Sequence, residues 1–271
     1  MASPRSRSRS RSRSSRLGAV LAPLLALLVM LAVWEGLTRA FAVPVYLLPP
    51  PSAVLAAAAH DAGALATGAL MTGRAALIGF ALSAVLGALA AIALASSRLL
   101  ERAFYPYTIF LQTVPIVAVA PLLVLWFGPG LRAVAVSAFI VSVFPVIANT
   151  LAGLRSVDPG LRDLFQLYGA GRLATLVKLS IPSAVPSIVT GLRVASGLAV
   201  IGTIVGEFVA GFSEDSAGLG ILVLSSYRQL RTDLLFAAVL TAAALGLALF
   251  GAVNLVGALL LRRWHPSEIN R

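Results

Sequence analysis

A single carboxylate inside an apolar stretch is the first candidate for chemistry in this sequence. Glu207 lies in the string TIVGEFVAG, which contains no other charged residue. A charged side chain at the centre of a membrane costs about 3 kcal/mol or more, so such residues often mark a solute or ion pathway. Glu207 could equally lie near the outer end of its helix and reach interfacial water. Glu35, at the end of an earlier apolar stretch, is better explained as an interfacial residue.

No residue pattern predicts an enzyme active site. The P-loop pattern G-x-x-x-x-G-K-[ST] is missing, and the single lysine, Lys178, follows no glycine-rich loop. The two histidines, His60 and His265, lie far apart in the sequence, so a paired-histidine metal site is not expected. The chain contains no cysteine, which excludes disulfides and thiolate chemistry, and it has no G-x-S-x-G elbow. We therefore predict a chain that is not an enzyme and holds no cofactor or metal of its own.

The composition places the chain in a membrane. Of its 271 residues, 59% are hydrophobic and 11% are charged, against about 45–50% and about 25% in soluble domains. Each helical span needs about 20 apolar residues. We predict an all-α membrane protein with about six transmembrane helices and little mass outside the bilayer.

Apolar stretches bounded by charged or turn-forming residues mark the six predicted spans. They cover about 17–34, 75–95, 105–127, 133–151, 188–209 and 234–261. A proline-rich loop at 43–52 and a surface helix at 54–71, interrupted by His60 and Asp61, separate the first two spans. The third span contains three prolines, so we expect it to be kinked, because proline lacks an amide donor.

The longest stretch between two spans, 153–186, predicts two short helices joined by a turn. Asp158 followed by Pro159 is typical of a helix start, with Asp as the N-cap and Pro in the first turn. This helix should run to Tyr168 and end at Gly169.

The second short helix should cover Leu173 to Leu179. It leads to Pro182 and Pro186, which we expect to hold the two short helices off the membrane.

The positive charges predict the orientation. With the N-terminus in the cytoplasm and six spans, 16 of the 21 Lys and Arg residues lie on the cytoplasmic side. Because cytoplasmic loops are enriched in Lys and Arg, we predict that both termini are cytoplasmic. This distribution also explains most of the net charge of +11 without a nucleic-acid partner.

The N-terminal stretch 4–16 reads PRSRSRSRSRSSR and should be disordered, because nothing apolar interrupts it. Arg–Ser repeats resemble tails that bind RNA. We interpret this one as a basic cytoplasmic flank that fixes the topology, because it ends directly at an apolar span.

The loop after the fourth span resembles that of the membrane subunits of binding-protein-dependent ABC importers. Their motif is Glu-Ala-Ala, three residues, Gly, nine residues, then Ile-x-Leu-Pro. Gly169 takes the glycine place, and Asp163 falls where the family has Glu. Leu179 falls on the Ile place, and Ile181 with Pro182 falls on the Leu-Pro place.

The motif departs from the family at its two alanines, which are Leu164 and Phe165 here. That departure affects the details of the docking surface. The resemblance implies that Asp163, Gly169, Ala170, Leu179, Ile181 and Pro182 form a coupling loop that docks in a groove of an ATPase subunit.

Further strings resemble the nitrate, sulfonate, taurine and thiamine-precursor permease group over about residues 17–266. They are QTVPIVAVAPLLVLWFGPG, FPVIANTLAGLRSVDP, GLRVASGLAVIGTIVGEFVAG, GLG and RRWHP. The resemblance implies a permease domain at 17–264, between a disordered basic tail at 1–16 and a short cytoplasmic tail at 265–271. It implies a bacterial inner (plasma) membrane protein that works as a homodimer with an ATP-binding subunit and a solute-binding protein. ATP is then bound by the partner.

Possible pathway residues are Gln112, Thr113 and Glu207, although the first two could also serve helix–helix hydrogen bonding. The string EFVAG with the later GLG looks like the thiamine-pyrimidine-precursor and riboflavin-type members. Sulfonate, taurine and nitrate remain open as solutes.

Two other classes of protein have weaker support. A self-contained secondary transporter or channel needs its own coupling-ion site, for which Glu207 is the one candidate. A membrane tether for nucleic acid would work through the Arg–Ser tail and bind in a strongly salt-dependent way.

Overall fold

The computed structural model describes residues 11–210 and 218–261, with side chains from Leu21 onward. Within these ranges the fold consists of eleven α-helices and one π-helical turn, Leu176–Ser180, between α8 and α9. The helices are α1 (Arg11–Ala40), α2 (Pro51–His60), α3 (Ala62–Ser96), α4 (Arg98–Thr113), α5 (Ile116–Phe127), α6 (Leu131–Arg155), α7 (Pro159–Leu167), α8 (Arg172–Thr175), α9 (Ile181–Ala210), α10 (Leu219–Arg228) and α11 (Thr232–Leu261).

Among the residues that the structure describes, five helical stretches are long and apolar enough to cross a membrane. They are Leu21–Ala40 of α1, α3, α6, the continuous stretch Arg172–Ala210, and α11. Helices α4 and α5 are together apolar enough for a span but meet at a bend of 98°, and they make a sixth span if the pair crosses as one. The predicted fold class, an all-α membrane protein with about six spans, is confirmed.

Helices α3, α6 and α9 form the core, and their small residues bring the backbones together. A Cβ at Gly206 of α9 would lie 2.9 Å from the Cβ of Ser137 on α6. The Ser137 hydroxyl donates to the carbonyl of Gly202 over 2.9 Å, and the Ser83 and Ser142 hydroxyls of α3 and α6 lie 2.6 Å apart. Close backbone contact through small and hydroxyl residues is the usual way that membrane helices associate.

The predicted surface helix at 54–71 is shorter than expected. The chain turns at Asp61, so α2 ends at His60, and residues from Ala62 onward belong to the 35-residue α3. Asp61 forms an ion pair of 2.5 Å with Arg231, just ahead of α11. This pair holds the turn against the end of the bundle where α10 lies.

The predicted kink in the third span is confirmed at one of its prolines. Val114 is extended (φ −69°, ψ 124°) and Pro115 precedes the first residue of α5. A residue before proline avoids the α-helical region, so α4 stops here. Pro106 and Pro121 lie inside α4 and α5 without ending them.

Pro182 and Pro186 do not separate the second short helix from the fifth span, as the sequence had suggested. Both prolines lie within α9, and helical structure is continuous from Arg172 to Ala210. The π-helical turn ends at Ser180, two residues before Pro182, and shifts the backbone hydrogen-bond register where that proline supplies no amide. The second short helix is therefore joined to the fifth span and is not separated from it.

The two predicted tails are only partly covered by the structure. Helix α1 begins at Arg11, so its first turns fall in the stretch 1–16 that the composition predicts to be disordered. Residues 1–10 and the predicted C-terminal tail at 265–271 lie outside the described residues.

Candidate functional site: the α7–α8 loop and the Glu207 cluster

Helix α7 begins where the sequence predicts. The Asp158 carboxylate accepts hydrogen bonds from the backbone N–H of Gly160 (2.7 Å) and of Leu161 (3.3 Å). Pro159 occupies the first helical position, where its missing amide has no cost. The N-cap therefore fixes the start of the α7–α8 loop, which we define as residues 156–180.

Gly169 ends α7 in a Schellman motif. Its φ is +71°, a left-handed conformation that glycine adopts without a steric penalty. The Gly169 N–H donates to the Gln166 carbonyl and the Ala170 N–H donates to the Phe165 carbonyl, each over 2.9 Å. These two bonds satisfy carbonyls left free at the helix end. Gly169 thus has the turn-forming role that the sequence predicts.

One face of α7 is apolar and exposed. Leu161, Leu164 and Tyr168 follow one another at spacings of three and four residues, and Tyr168 is 84% exposed. Leu167 is also 84% exposed. The Asp163 carboxylate lies exposed on the same helix and forms no ion pair with any described residue. An exposed apolar surface next to a charge is typical of a protein–protein contact.

The remaining residues of the predicted coupling loop point toward the bundle. Leu179 is buried, and Ala170, Ile181 and Pro182 are partly buried. They lie on the side of the loop that packs against the rest of the bundle, whereas Asp163 and Gly169 lie on its exposed side.

A basic cavity of about 1180 Å³ lies behind α7. It is bounded by α4, the end of α6, and α7 and α8, and Glu101 on α4 pairs with Arg155 on α6 at its wall. The arginines that line it are Arg98, Arg102, Arg155, Arg162 and Arg172. This end of the bundle therefore carries a concentration of positive charge.

Glu207 is buried at the other end of α9. Glu207 is 5% exposed. The Thr72 hydroxyl of α3 lies 2.8 and 3.0 Å from its two carboxylate oxygens. The Gly220 N–H donates to Oε2 over 2.7 Å, and the Leu219 N–H donates to the Thr72 Oγ1 over 2.8 Å. We call these four residues, Thr72, Glu207, Leu219 and Gly220, the Glu207 cluster.

Two glycines leave room for this carboxylate. A Cβ at Gly220 would lie 2.8 Å from the Cβ of Glu207, and a Cβ at Gly218 would overlap the Glu207 carboxylate itself. The string GLG (residues 218–220) is therefore matched in shape to Glu207.

The other predicted pathway residues lie elsewhere. Gln112 and Thr113 are exposed in the last turn of α4, just before the break at Pro115. The Thr113 hydroxyl donates to the Phe110 carbonyl over 2.8 Å. The hydrogen-bond partners of Glu207 are on α3 and α10, so the structure does not join the three residues into one site. Sequence reasoning missed Thr72, one of two threonines in the Ala-rich first half of α3, where no pattern distinguishes it from Thr67.

Glu35 also caps a helix. Its carboxylate accepts from the Ser52 N–H (3.0 Å), the Ser52 hydroxyl (2.7 Å) and Arg39 (2.6 Å). Ser52 lies in the first turn of α2, whose N-cap residue Pro50 offers no side-chain acceptor. Glu35 therefore joins the end of α1 to the start of α2.

Comparison with known proteins identifies a family and several relatives. The model of the family described as "Binding-protein-dependent transport system inner membrane component" matches residues 83–266. The formylaminopyrimidine transport permease protein ThiX of Halalkalibacterium halodurans is 34% identical, over 92% of this chain and 97% of its own. The riboflavin transport system permease protein RibX of Chloroflexus aurantiacus is 34% identical, over 98% and 96%.

A more distant relative and a solved structure agree with this assignment. The bicarbonate transport system permease protein CmpB of Synechocystis sp. is 29% identical over 86% of each chain. The crystal structure of an amino acid ABC transporter with histidines matches with a TM-score of 0.57 and 20% identity, over 76% of this chain and 96% of that one. At this identity the match supports the fold alone.

Proposed function

This chain belongs to the family of binding-protein-dependent transport system inner membrane components, and we therefore propose that two copies of it form the transmembrane pathway of an ABC importer for a small solute. A separate subunit binds and hydrolyses ATP, and a solute-binding protein delivers the solute. The sequence contains no P-loop, which supports the assignment of ATP hydrolysis to a partner.

The ATPase subunit docks on the α7–α8 loop. The observation that carries this proposal is the exposed apolar face of Leu161, Leu164 and Tyr168, with Asp163 beside it. Burying such a face against a partner removes apolar surface from water, and Asp163 can pair with a basic residue of the partner's groove. The fixed turn at Gly169 presents the face in one orientation.

Movement of the ATPase subunits reaches the membrane through the α8–α9 helix (Arg172–Ala210). This stretch is helical without a gap from the loop to the far end of the bundle. ATP-driven closure of the two ATPases draws the two loops together and opens the pathway to the solute-binding protein. Hydrolysis resets it.

We place the α7–α8 loop and both termini in the cytoplasm. Sixteen of the 21 Lys and Arg residues then lie on that side, in agreement with the positive-inside rule. The arginine-lined cavity behind α7 lies on the same side.

The broken α4–α5 span supplies part of the pathway. Non-helical backbone at membrane depth is tolerated where it is buried in protein or lines a water-filled cavity, and Gln112 and Thr113 are exposed beside the break. We assign these two side chains to the pathway between the two copies.

The solute is a small nitrogen heterocycle of the formylaminopyrimidine or riboflavin kind. The support is the similarity to ThiX and RibX, which extends over nine tenths or more of this chain at 34% identity. A small anion is the second candidate, because CmpB is similar over 86% of the chain. Sulfonates and nitrate belong to this second class, and taurine is grouped with them through its sulfonate group.

Uptake by the complete transporter distinguishes the two classes of solute, nitrogen heterocycles and small anions. The complex of this chain with its ATPase is reconstituted in proteoliposomes with its solute-binding protein, and uptake of radiolabelled formylaminopyrimidine, riboflavin, taurine and nitrate is compared. We expect ATP-dependent uptake of one of the two heterocycles and none of taurine or nitrate. Uptake of taurine or nitrate in place of the heterocycles would overturn the solute assignment.

A further inference from the structure

The N-terminus of α10 is capped by residues from two other helices. The first N–H groups of any helix have no partner within it, and the N-cap residue of α10 is Gly218, which has no side chain to accept them. The Leu219 N–H bonds to Thr72, and the Gly220 N–H bonds to Glu207. A carboxylate is also favoured at the positive end of the helix dipole.

We infer that Glu207 is a positioning residue that fixes α10 to the far end of the α8–α9 helix, so that movement begun at the coupling loop reaches α10. This inference rests on the proposed function for its coupling step. It differs from a pathway role, because the carboxylate is buried and its oxygens are taken up by Thr72 and Gly220.

The α8–α9 helix is the element that carries the movement. It spans 39 residues, about 58 Å at 1.5 Å per residue. Its first residue, Arg172, follows the turn at Gly169, and Glu207 lies one turn from its last residue, Ala210. A shift at the loop therefore reaches Glu207 through continuous helical structure, which includes the π-helical turn Leu176–Ser180.

Helix α10 passes the movement to three neighbouring elements. Leu219 is fully buried in a cluster with Val54 of α2, Leu65 of α3 and Leu234 of α11. Just beyond the other end of α10, Arg231 is paired with Asp61 between α2 and α3. The elements around α10 thus form the end of the bundle opposite the coupling loop, where we place the solute-binding protein.

The two glycines of the GLG string, Gly218 and Gly220, make this attachment of α10 to Glu207 possible. A side chain at Gly218 would overlap the carboxylate, and one at Gly220 would come within 2.8 Å of the Ile204 carbonyl. The backbone of α10 can approach Glu207 this closely because both positions are glycine. The hydroxyl of Thr72 completes the attachment by bonding to α10 and to Glu207 together.

The test compares Glu207→Ala and Thr72→Val with the conservative variants Glu207→Gln and Thr72→Ser. Gln keeps an oxygen for the Gly220 N–H, and Ser keeps the hydroxyl. The first readout is hydrogen exchange of the backbone amides of α10 in the assembled transporter. We expect faster exchange confined to residues 218–228 in Glu207→Ala and Thr72→Val, and exchange close to wild type in the conservative variants.

The second readout is the number of solute molecules imported per ATP hydrolysed, with formylaminopyrimidine or riboflavin as the solute. We expect this ratio to fall by about tenfold in Glu207→Ala, within the range of about 5–150-fold that coupling between two sites usually spans. We expect the ATPase subunit to remain bound. The Gln variant should recover most of the wild-type ratio.

Unchanged exchange in α10 of Glu207→Ala, or a wild-type ratio of solute to ATP in that variant, would overturn the inference. Equally fast exchange throughout α3, α6 and α9 in Glu207→Ala and Thr72→Val would also contradict it, since the residues would then act on general stability. A wild-type complex that hydrolyses ATP but imports neither heterocycle would instead count against the proposed function.

Discussion

The Glu207 carboxylate occupies the space that a Cβ at Gly218 would need. The two residues lie on either side of a segment, 211–217, that is outside the described residues. Their contact explains why a glycine must precede α10, and it relates the apolar string TIVGEFVAG to the GLG string further along the chain.

Gly218→Ala should destabilise the protein, because its Cβ overlaps a carboxylate that is held by Thr72 and Gly220. Overpacking of this kind costs about 1–3 kcal/mol. Thermal unfolding of the purified chain in detergent measures the effect. Gly197→Ala is the matched control, because a Cβ there meets nothing within 4 Å. An unfolding temperature in Gly218→Ala equal to that of the control would count against the contact.

Gly169→Ala should weaken binding of the ATPase subunit. An alanine held at φ +71° costs about 1–2 kcal/mol. The turn after α7 is then strained or adopts another conformation, and the apolar face of α7 no longer has the orientation that the ATPase subunit binds. The affinity of the ATPase subunit for the detergent-purified chain is the measurement. Gly171→Ala serves as control, because Gly171 has an ordinary φ of −66° and open space around it. The expectation fails if the two variants bind the ATPase equally well.

Leu167→Asp should abolish co-purification of the ATPase subunit with little change in the unfolding temperature of the chain itself. Leu167 is 84% exposed, so a charge there disturbs no internal packing, yet it is costly in an apolar interface. Leu55→Asp, at a 71% exposed position of α2, is the control and should leave ATPase binding intact. Retained ATPase binding in Leu167→Asp would place the docking surface elsewhere.

Asp61→Asn should lower stability slightly and in a salt-dependent way. The Asp61 carboxylate raises the pKa of the Arg231 guanidinium, so Arg231 stays charged in the folded protein. The contribution of this ion pair to stability would be lost only at a pH above the ordinary pKa of arginine. This pair is partly exposed, and pairs near the surface contribute about 0.2–1 kcal/mol. The difference in unfolding temperature between Asp61→Asn and wild type should shrink between 0.05 and 1 M salt, as screening increases. A difference that is constant with salt would exclude an electrostatic origin.

Local signals made some of these features predictable. The Asp158-Pro159 pair starts α7 and Gly169 ends it, and each does so through contacts with residues only a few positions away. The structure confirms both predictions. The six apolar stretches predicted the fold class for the same reason, since each span needs only its own hydrophobicity.

Other features depended on distant residues and could not be predicted. Pro182 suggests a helix boundary, but the preceding π-helical turn lets the helix continue through it. Thr72 is 135 residues away from Glu207 in sequence and is surrounded by an ordinary helical pattern. The sequence marks Glu207 as unusual, but its partners depend on how α3 and α10 pack against α9.

The most direct test of the central claim is purification of the chain from its native membrane in mild detergent, followed by reconstitution. We predict that an ATPase subunit co-purifies at equal stoichiometry, that Gly169→Asp abolishes this association, and that uptake into proteoliposomes requires ATP and withstands an uncoupler. A chain that purifies alone and transports solute without ATP, with uptake abolished by an uncoupler, would contradict the account and indicate a secondary transporter.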